Sequence, residues 1–163
     1  MHLAIGLVAL VGFVISAAVH LLAVSGVDVL ARYPDAWMLH IGVFIVFVPY
    51  VFARRKTLGA RPTLTRIRAQ FPDWVVAIGL CLFAYTIANF LLFMLHAAPN
   101  GNPEIQEGKY LLVNHGRIVR EVTATEYASL RSQQIRGFSG HWMFFYFVSS
   151  AYFLLRKREP SPV

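Results

Sequence analysis

At 163 residues the chain is long enough for one domain, but 57% of its residues are hydrophobic and only 14% are charged. Soluble domains carry roughly 25% charged residues, so this composition argues against a soluble globular protein. A net charge of +7 is also found in nucleic-acid-binding proteins, but here the basic residues cluster in short segments between apolar stretches. Membrane topology explains that pattern, so we expect no nucleic-acid partner.

Long stretches without Asp, Glu, Lys or Arg dominate the sequence, at Leu3–Val24, Trp37–Ala53, Val75–Asn102 and Gly137–Leu155. Crossing the roughly 30 Å hydrocarbon core takes about 20 apolar residues in a helix, and barrel strands would alternate polar and apolar residues. The sequence therefore predicts an all-α membrane protein, a four-transmembrane-helix bundle in a single membrane domain that covers residues 1–163. The predicted spans are 3–24, 37–53, 75–96 and 138–155.

The basic residues indicate which way these helices run. The segment 54–73 and the tail after the fourth span hold nine Lys or Arg and two acidic residues, whereas the segments on the other side hold six of each. Because short cytoplasmic loops are enriched in Lys and Arg, we predict both termini and the loop 54–73 in the cytoplasm of a bacterial-type inner membrane. There the basic residues would contact the anionic inner leaflet of the lipid bilayer.

The predicted cytoplasmic loop contains a segment, Thr65–Phe71, in which arginines alternate with apolar residues. This pattern favours a short amphipathic turn that lies on the inner leaflet. The alternative is a plain basic loop that only fixes the topology.

The predicted extracytoplasmic loop, 97–137, contains signals for a small β-hairpin and a short helix. Pro99–Pro103 is typical of a turn. Residues 110–113 and 118–122 have strand character, and Asn114-His115-Gly116 between them tolerates positive φ. The spacing of Thr123 and Glu126 predicts a capping box at a helix start. We expect Gly137 and Gly140 to break or bend that helix at the membrane surface.

One histidine near the outer end of each predicted span is the strongest functional signal, and the four are His20, His40, His96 and His141. At 1.5 Å per residue they lie within roughly 6 Å of one depth. Facing helices of a bundle build cofactor sites from such side chains, and imidazole binds haem iron, copper and zinc. The hypothesis is a haem b or Cu/Zn site. The alternative is that each histidine bonds to headgroups, water or a neighbouring helix.

Two further polar residues are expected to face the interior of the bundle. Gly12, Ser16 and His20 follow one another at intervals of four on one helix face, a small-residue pattern that packs helices closely in lipid. Asn89 lies in the middle of the third span and must find a partner within the protein. The single cysteine, Cys81, cannot form an intramolecular disulfide.

Two functions from different classes follow from these observations. The favoured one is a non-catalytic membrane protein that binds a membrane-protein partner or a second copy of itself, or that supports an assembly as an accessory protein. Its hairpin and basic loop would be the contact surfaces. The other is a haem or metal protein, with a role in electron transfer, that uses the four histidines. No catalytic triad or nucleotide-binding motif is present in the sequence, so an enzyme is not favoured.

Overall fold

The computed structural model describes residues 2–96 and 101–157. These residues form six α-helices, a 3-10 turn and three β-strands. The helices are α1 (His2–Val24), α2 (Val29–Arg32), α3 (Met38–Thr57), α4 (Leu64–Gln70), α5 (Asp73–His96) and α6 (Ala124–Leu155), and the 3-10 turn Pro34–Trp37 precedes α3. The strands are β1 (Asn102–Gln106), β2 (Lys109–Asn114) and β3 (Arg117–Glu121).

Three of the described helical segments are long and apolar enough to cross a membrane: α1, α5, and α3 together with its 3-10 turn. Their mean hydropathy lies between 2.0 and 2.6, yet no more than a third of each is buried within the protein. Most of their apolar side chains face outward, which suits a lipid environment and not water. These segments confirm that three of the predicted spans are helices long and apolar enough to cross a membrane. Helix α6 is not among the helices that meet this criterion of length and apolar composition. Its second half contains serine, histidine, tyrosine and tryptophan besides apolar residues.

Helix α6 is the central element, since α1, α3 and α5 all pack against it. Near its start, Ser132 Oγ donates to Ala23 O at the end of α1, at 2.8 Å. At its other end, Tyr152 and Thr57 share a hydrogen bond of 2.9 Å. Lys157 N donates to Gln70 O at the end of α4, also at 2.9 Å. The 32 residues of α6 span about 48 Å.

We predicted that Gly137 and Gly140 break or bend this helix, and a break is wrong, because α6 continues through both. The short outer helix and the predicted fourth span are thus one helix. A Cβ at Gly137 would collide with the Phe93 ring, and one at Gly140 would lie 3.0 Å from Asn89 Nδ2. The two glycines therefore allow α5 to approach α6 closely, and the tight packing of the two helices offsets the low helix propensity of glycine.

The outer segment folds as a three-stranded antiparallel sheet in the order β1-β2-β3. The predicted hairpin is confirmed as β2 and β3, joined through His115 and Gly116, which both have positive φ. Strand β1 was not predicted, and part of it lies where a turn was expected. Residues 97–100 of that predicted turn lie outside the described residues.

The sheet is attached to the first half of α6 by a small apolar cluster. Leu112 and Val122 pack against Tyr127, all three being buried. Thr123 Oγ accepts from the Glu126 N–H at 3.2 Å, which confirms the predicted N-cap. The Glu126 carboxylate does not complete a capping box, however, because it accepts from the Arg120 guanidinium on β3 at 3.0 Å.

Candidate functional site

A cluster of buried polar side chains lies where α1, α5 and α6 meet. At its centre, His20 is only 3% exposed. Its Nδ1 lies 2.7 Å from Ser139 Oγ on α6, and its Nε2 lies 2.6 Å from the Tyr85 hydroxyl on α5. A neutral imidazole donates through one nitrogen and accepts through the other. His20 therefore uses both ring nitrogens to join α1 to its two neighbours.

Two polar side chains of α5 bind the backbone of α6 beside this histidine. Asn89 Nδ2 donates to Arg136 O at 2.9 Å, and Thr86 Oγ1 donates to Gly140 O at 3.0 Å. Asn89 and Thr86 are both buried. Most polar groups in an apolar interior are paired, because an unpaired group there costs free energy, so these bonds favour one rotation and register of α5 against α6.

Two atoms at this junction remain unpaired. Ser16 Oγ and Arg136 Nε are buried and have no hydrogen-bond partner among residues 2–96 and 101–157. The Arg136 guanidinium also forms no ion pair with a carboxylate in the described part of the chain. Ser16 and Asn89 are the two polar residues that were expected to face the interior of the bundle, and both are buried.

The remaining three histidines have different surroundings. His40 Nδ1 accepts from Trp142 Nε1 at 2.9 Å. His141 Nδ1 lies 3.3 Å from the backbone oxygen of Gly137, one turn earlier in α6, and its ring meets the edge of the Phe90 ring. His96 is exposed at the end of α5, with Nδ1 3.1 Å from Leu92 O in the same helix. Each imidazole thus contacts its own set of neighbours.

The four histidines are not gathered around one point in the part of the chain that the structure describes. Within the described ranges, no group of three or more His, Cys, Asp or Glu side chains is arranged to hold a metal ion. His20 is enclosed and bonded through both ring nitrogens, which leaves neither for a ligand bond in this arrangement. Haem or metal binding by His20, His40, His96 and His141 stays a prediction.

Sequence reasoning missed several members of the cluster, notably Ser139 and Thr86. A usable signal was present on α6, where Ser132 and Ser139 lie seven residues apart and therefore on one helix face. Both contact α1, at Ala23 O and at His20. Small polar residues at this spacing are typical of close helix packing in membranes.

The chemistry of the cluster is that of a structural connection. His20 lies beside the Ser139 hydroxyl, but its second ring nitrogen bonds to Tyr85 and not to the carboxylate that orients the base in a catalytic triad. The arrangement joins three helices. Comparison with protein-family models, curated proteins and solved structures finds no match to this chain.

Proposed function

We propose that the protein is a non-catalytic four-span membrane protein whose outer sheet binds a protein partner. The observation that carries this proposal is strand β3, which is exposed at all five of its residues. Its apolar side chains Ile118 and Val119 are 60% and 54% exposed. These side chains belong to the sheet beyond the ends of the apolar helices, where the lipid bilayer would not cover them.

The position of α6 supports a fourth crossing of the membrane. Near its start α6 bonds to Ala23 at the end of α1. Near its end Phe153 stacks on His2 at the start of α1, so α6 lies beside α1 along its whole length. A helix with apolar neighbours on several sides exposes little surface to lipid. Its serines, tyrosines and histidine therefore cost less than they would on a lipid-facing helix.

The charge distribution supports the orientation. The loop between α3 and α5 and the end of α6 lie together at one end of the bundle, which we call the basic end, and this end carries the whole net charge of +7. By the positive-inside tendency the basic end lies in the cytoplasm of a bacterial-type inner membrane. The sheet at the opposite end is then extracytoplasmic.

The edge of the sheet favours a partner that adds a strand. In the described residues β3 pairs with β2 on one side and with no strand on the other. An exposed strand edge is a template for pairing with another chain, and side chains at alternate positions then select the partner. The partner is an extended segment of another membrane protein, or β3 of a second copy.

Site-specific photocrosslinking in cells tests this proposal. A photoreactive residue at Val119 on β3 should give one discrete crosslinked species, while the same residue at Ser129, which is exposed on α6, should give none. A charged substitution on the strand, I118E, should remove the Val119 product. Equal crosslinking at both positions, or a product unaffected by I118E, would contradict partner binding through β3.

A further inference from the structure

An apolar groove lies between α3 and α5 at the basic end of the bundle. It encloses about 410 Å³, within the range of roughly 300–1,000 Å³ that is typical of ligand sites. Both helices pack against α6 but make few contacts with each other, so the groove opens sideways to the membrane. Side chains from all three helices and from α4 line it, among them Val51, Val76, Phe83, Phe147 and Ile67.

The groove is apolar along its length and positively charged at one end. Arg54 is the charged residue in its lining, half-buried at the last turns of α3. The guanidinium of Arg54 forms no ion pair in the described stretches of the chain. Tyr50 lies one turn earlier on α3 and also lines the groove. An elongated apolar ligand with an anionic head matches this distribution.

We propose that the groove binds one acyl chain of an anionic phospholipid, with its phosphate at Arg54. The side opening admits a chain directly from the bilayer. Arginine forms strong charge-assisted hydrogen bonds with phosphate oxygens, and the Tyr50 hydroxyl is the second polar group in reach of a headgroup. The short helix α4 contributes Leu64 and Ile67 to the apolar lining of the groove.

The charge of Arg54 and the shape of the groove contribute differently to lipid binding. Moving an acyl chain from lipid into the groove exchanges one apolar environment for another, so burial adds little affinity. Selectivity for the lipid class then depends on Arg54, and total occupancy depends on the open space beside Gly79. This inference does not depend on partner binding at β3.

Native mass spectrometry of the full-length protein, purified in a mild detergent and stripped of lipid, tests the site. We expect one molecule of phosphatidylglycerol to bind in preference to phosphatidylcholine with the same acyl chains. R54Q should weaken phosphatidylglycerol binding roughly fivefold to tenfold. It should weaken phosphatidylcholine binding less, because the choline cation offsets the charge of that lipid's phosphate. R55Q removes an equal charge from an exposed neighbour and should bind as the wild type does.

The groove itself is tested at Gly79. A Cβ there would lie 3.4 Å from Phe147 Cε1, an ordinary contact, so G79A should fold and bind normally. G79L should fill the groove and lower occupancy by both lipids, with an unchanged circular dichroism spectrum as the control for folding. Inorganic phosphate alone should not bind. Equal binding of the two lipids, equal losses in R54Q and R55Q, or full occupancy in G79L would overturn the proposal.

Discussion

The hydrogen bond between His20 and Ser139 is open to a quantitative test by a double-mutant cycle. Its atoms Nδ1 and Oγ lie 2.7 Å apart, and both residues are buried. The variants H20A and S139A should each lower the free energy of unfolding. The double variant should lose less than the sum of the two, because the shared bond is lost only once.

The expected size follows from the contacts. Hydrogen bonds between side chains in membrane proteins contribute about 0.6 kcal/mol on average and up to about 1.7 kcal/mol. A short, buried bond should lie in the upper part of that range, so we expect a coupling energy of about 0.6–1.5 kcal/mol. H20A should cost more in total, roughly 2–4 kcal/mol, because it also breaks the Tyr85 bond and leaves a cavity.

The assay is reversible unfolding in mixed detergents, followed by far-ultraviolet circular dichroism. S129A is the matched control. Ser129 is exposed on the same helix as Ser139, so this substitution should change the free energy of unfolding by less than about 0.5 kcal/mol. A coupling energy below about 0.3 kcal/mol, the scatter seen for independent sites, would refute the His20–Ser139 bond as a connection between α1 and α6.

Three further predictions concern packing, pH and cofactors. G12A should lower the free energy of unfolding by roughly 1–3 kcal/mol in the same assay, because its Cβ would collide with the Tyr146 ring. An unchanged free energy of unfolding in G12A would contradict this contact. The bond from Arg120 lowers the pKa of Glu126 below its ordinary value of 4.5. The stabilisation of the folded sheet by this bond is therefore fully present above pH 4.5 and is lost as the pH falls through the lowered pKa. Near-ultraviolet circular dichroism of the sheet should show this loss, and E126Q should remove the dependence. The pure protein should show no Soret band and no stoichiometric metal, and either one would favour the haem or metal hypothesis over the proposed function.

The three apolar helices could be predicted within a few residues because their signal is local. Span length and the absence of charge depend only on consecutive residues, and Leu3–Val24 already matches α1 closely. The unbroken course of α6 could not be predicted in this way. Gly137 and Gly140 are weak helix formers in isolation, and only the approach of Phe93 and Asn89 explains why the helix continues.

The sequence predicted the α1 side of the candidate site but not the residues that His20 contacts. The spacing of Gly12, Ser16 and His20 indicated which face of α1 points inward, and all three are buried. Their partners were not predictable, because the rotation of α5 and α6 about their own axes is set by packing. Histidines at a common depth in the bundle likewise need not point in a common direction. The His40 side chain hydrogen-bonds to Trp142, whereas that of His20 hydrogen-bonds to Ser139.

The topology of α6 is the central claim, and cysteine labelling tests it most directly. In a C81S background, the single substitutions V119C, R61C and K157C place a thiol on β3, on the basic loop and after α6, all at exposed positions. A membrane-impermeant maleimide should label V119C in intact spheroplasts and should label R61C and K157C only after permeabilisation. Labelling of K157C together with V119C in intact spheroplasts would show that α6 does not cross the membrane.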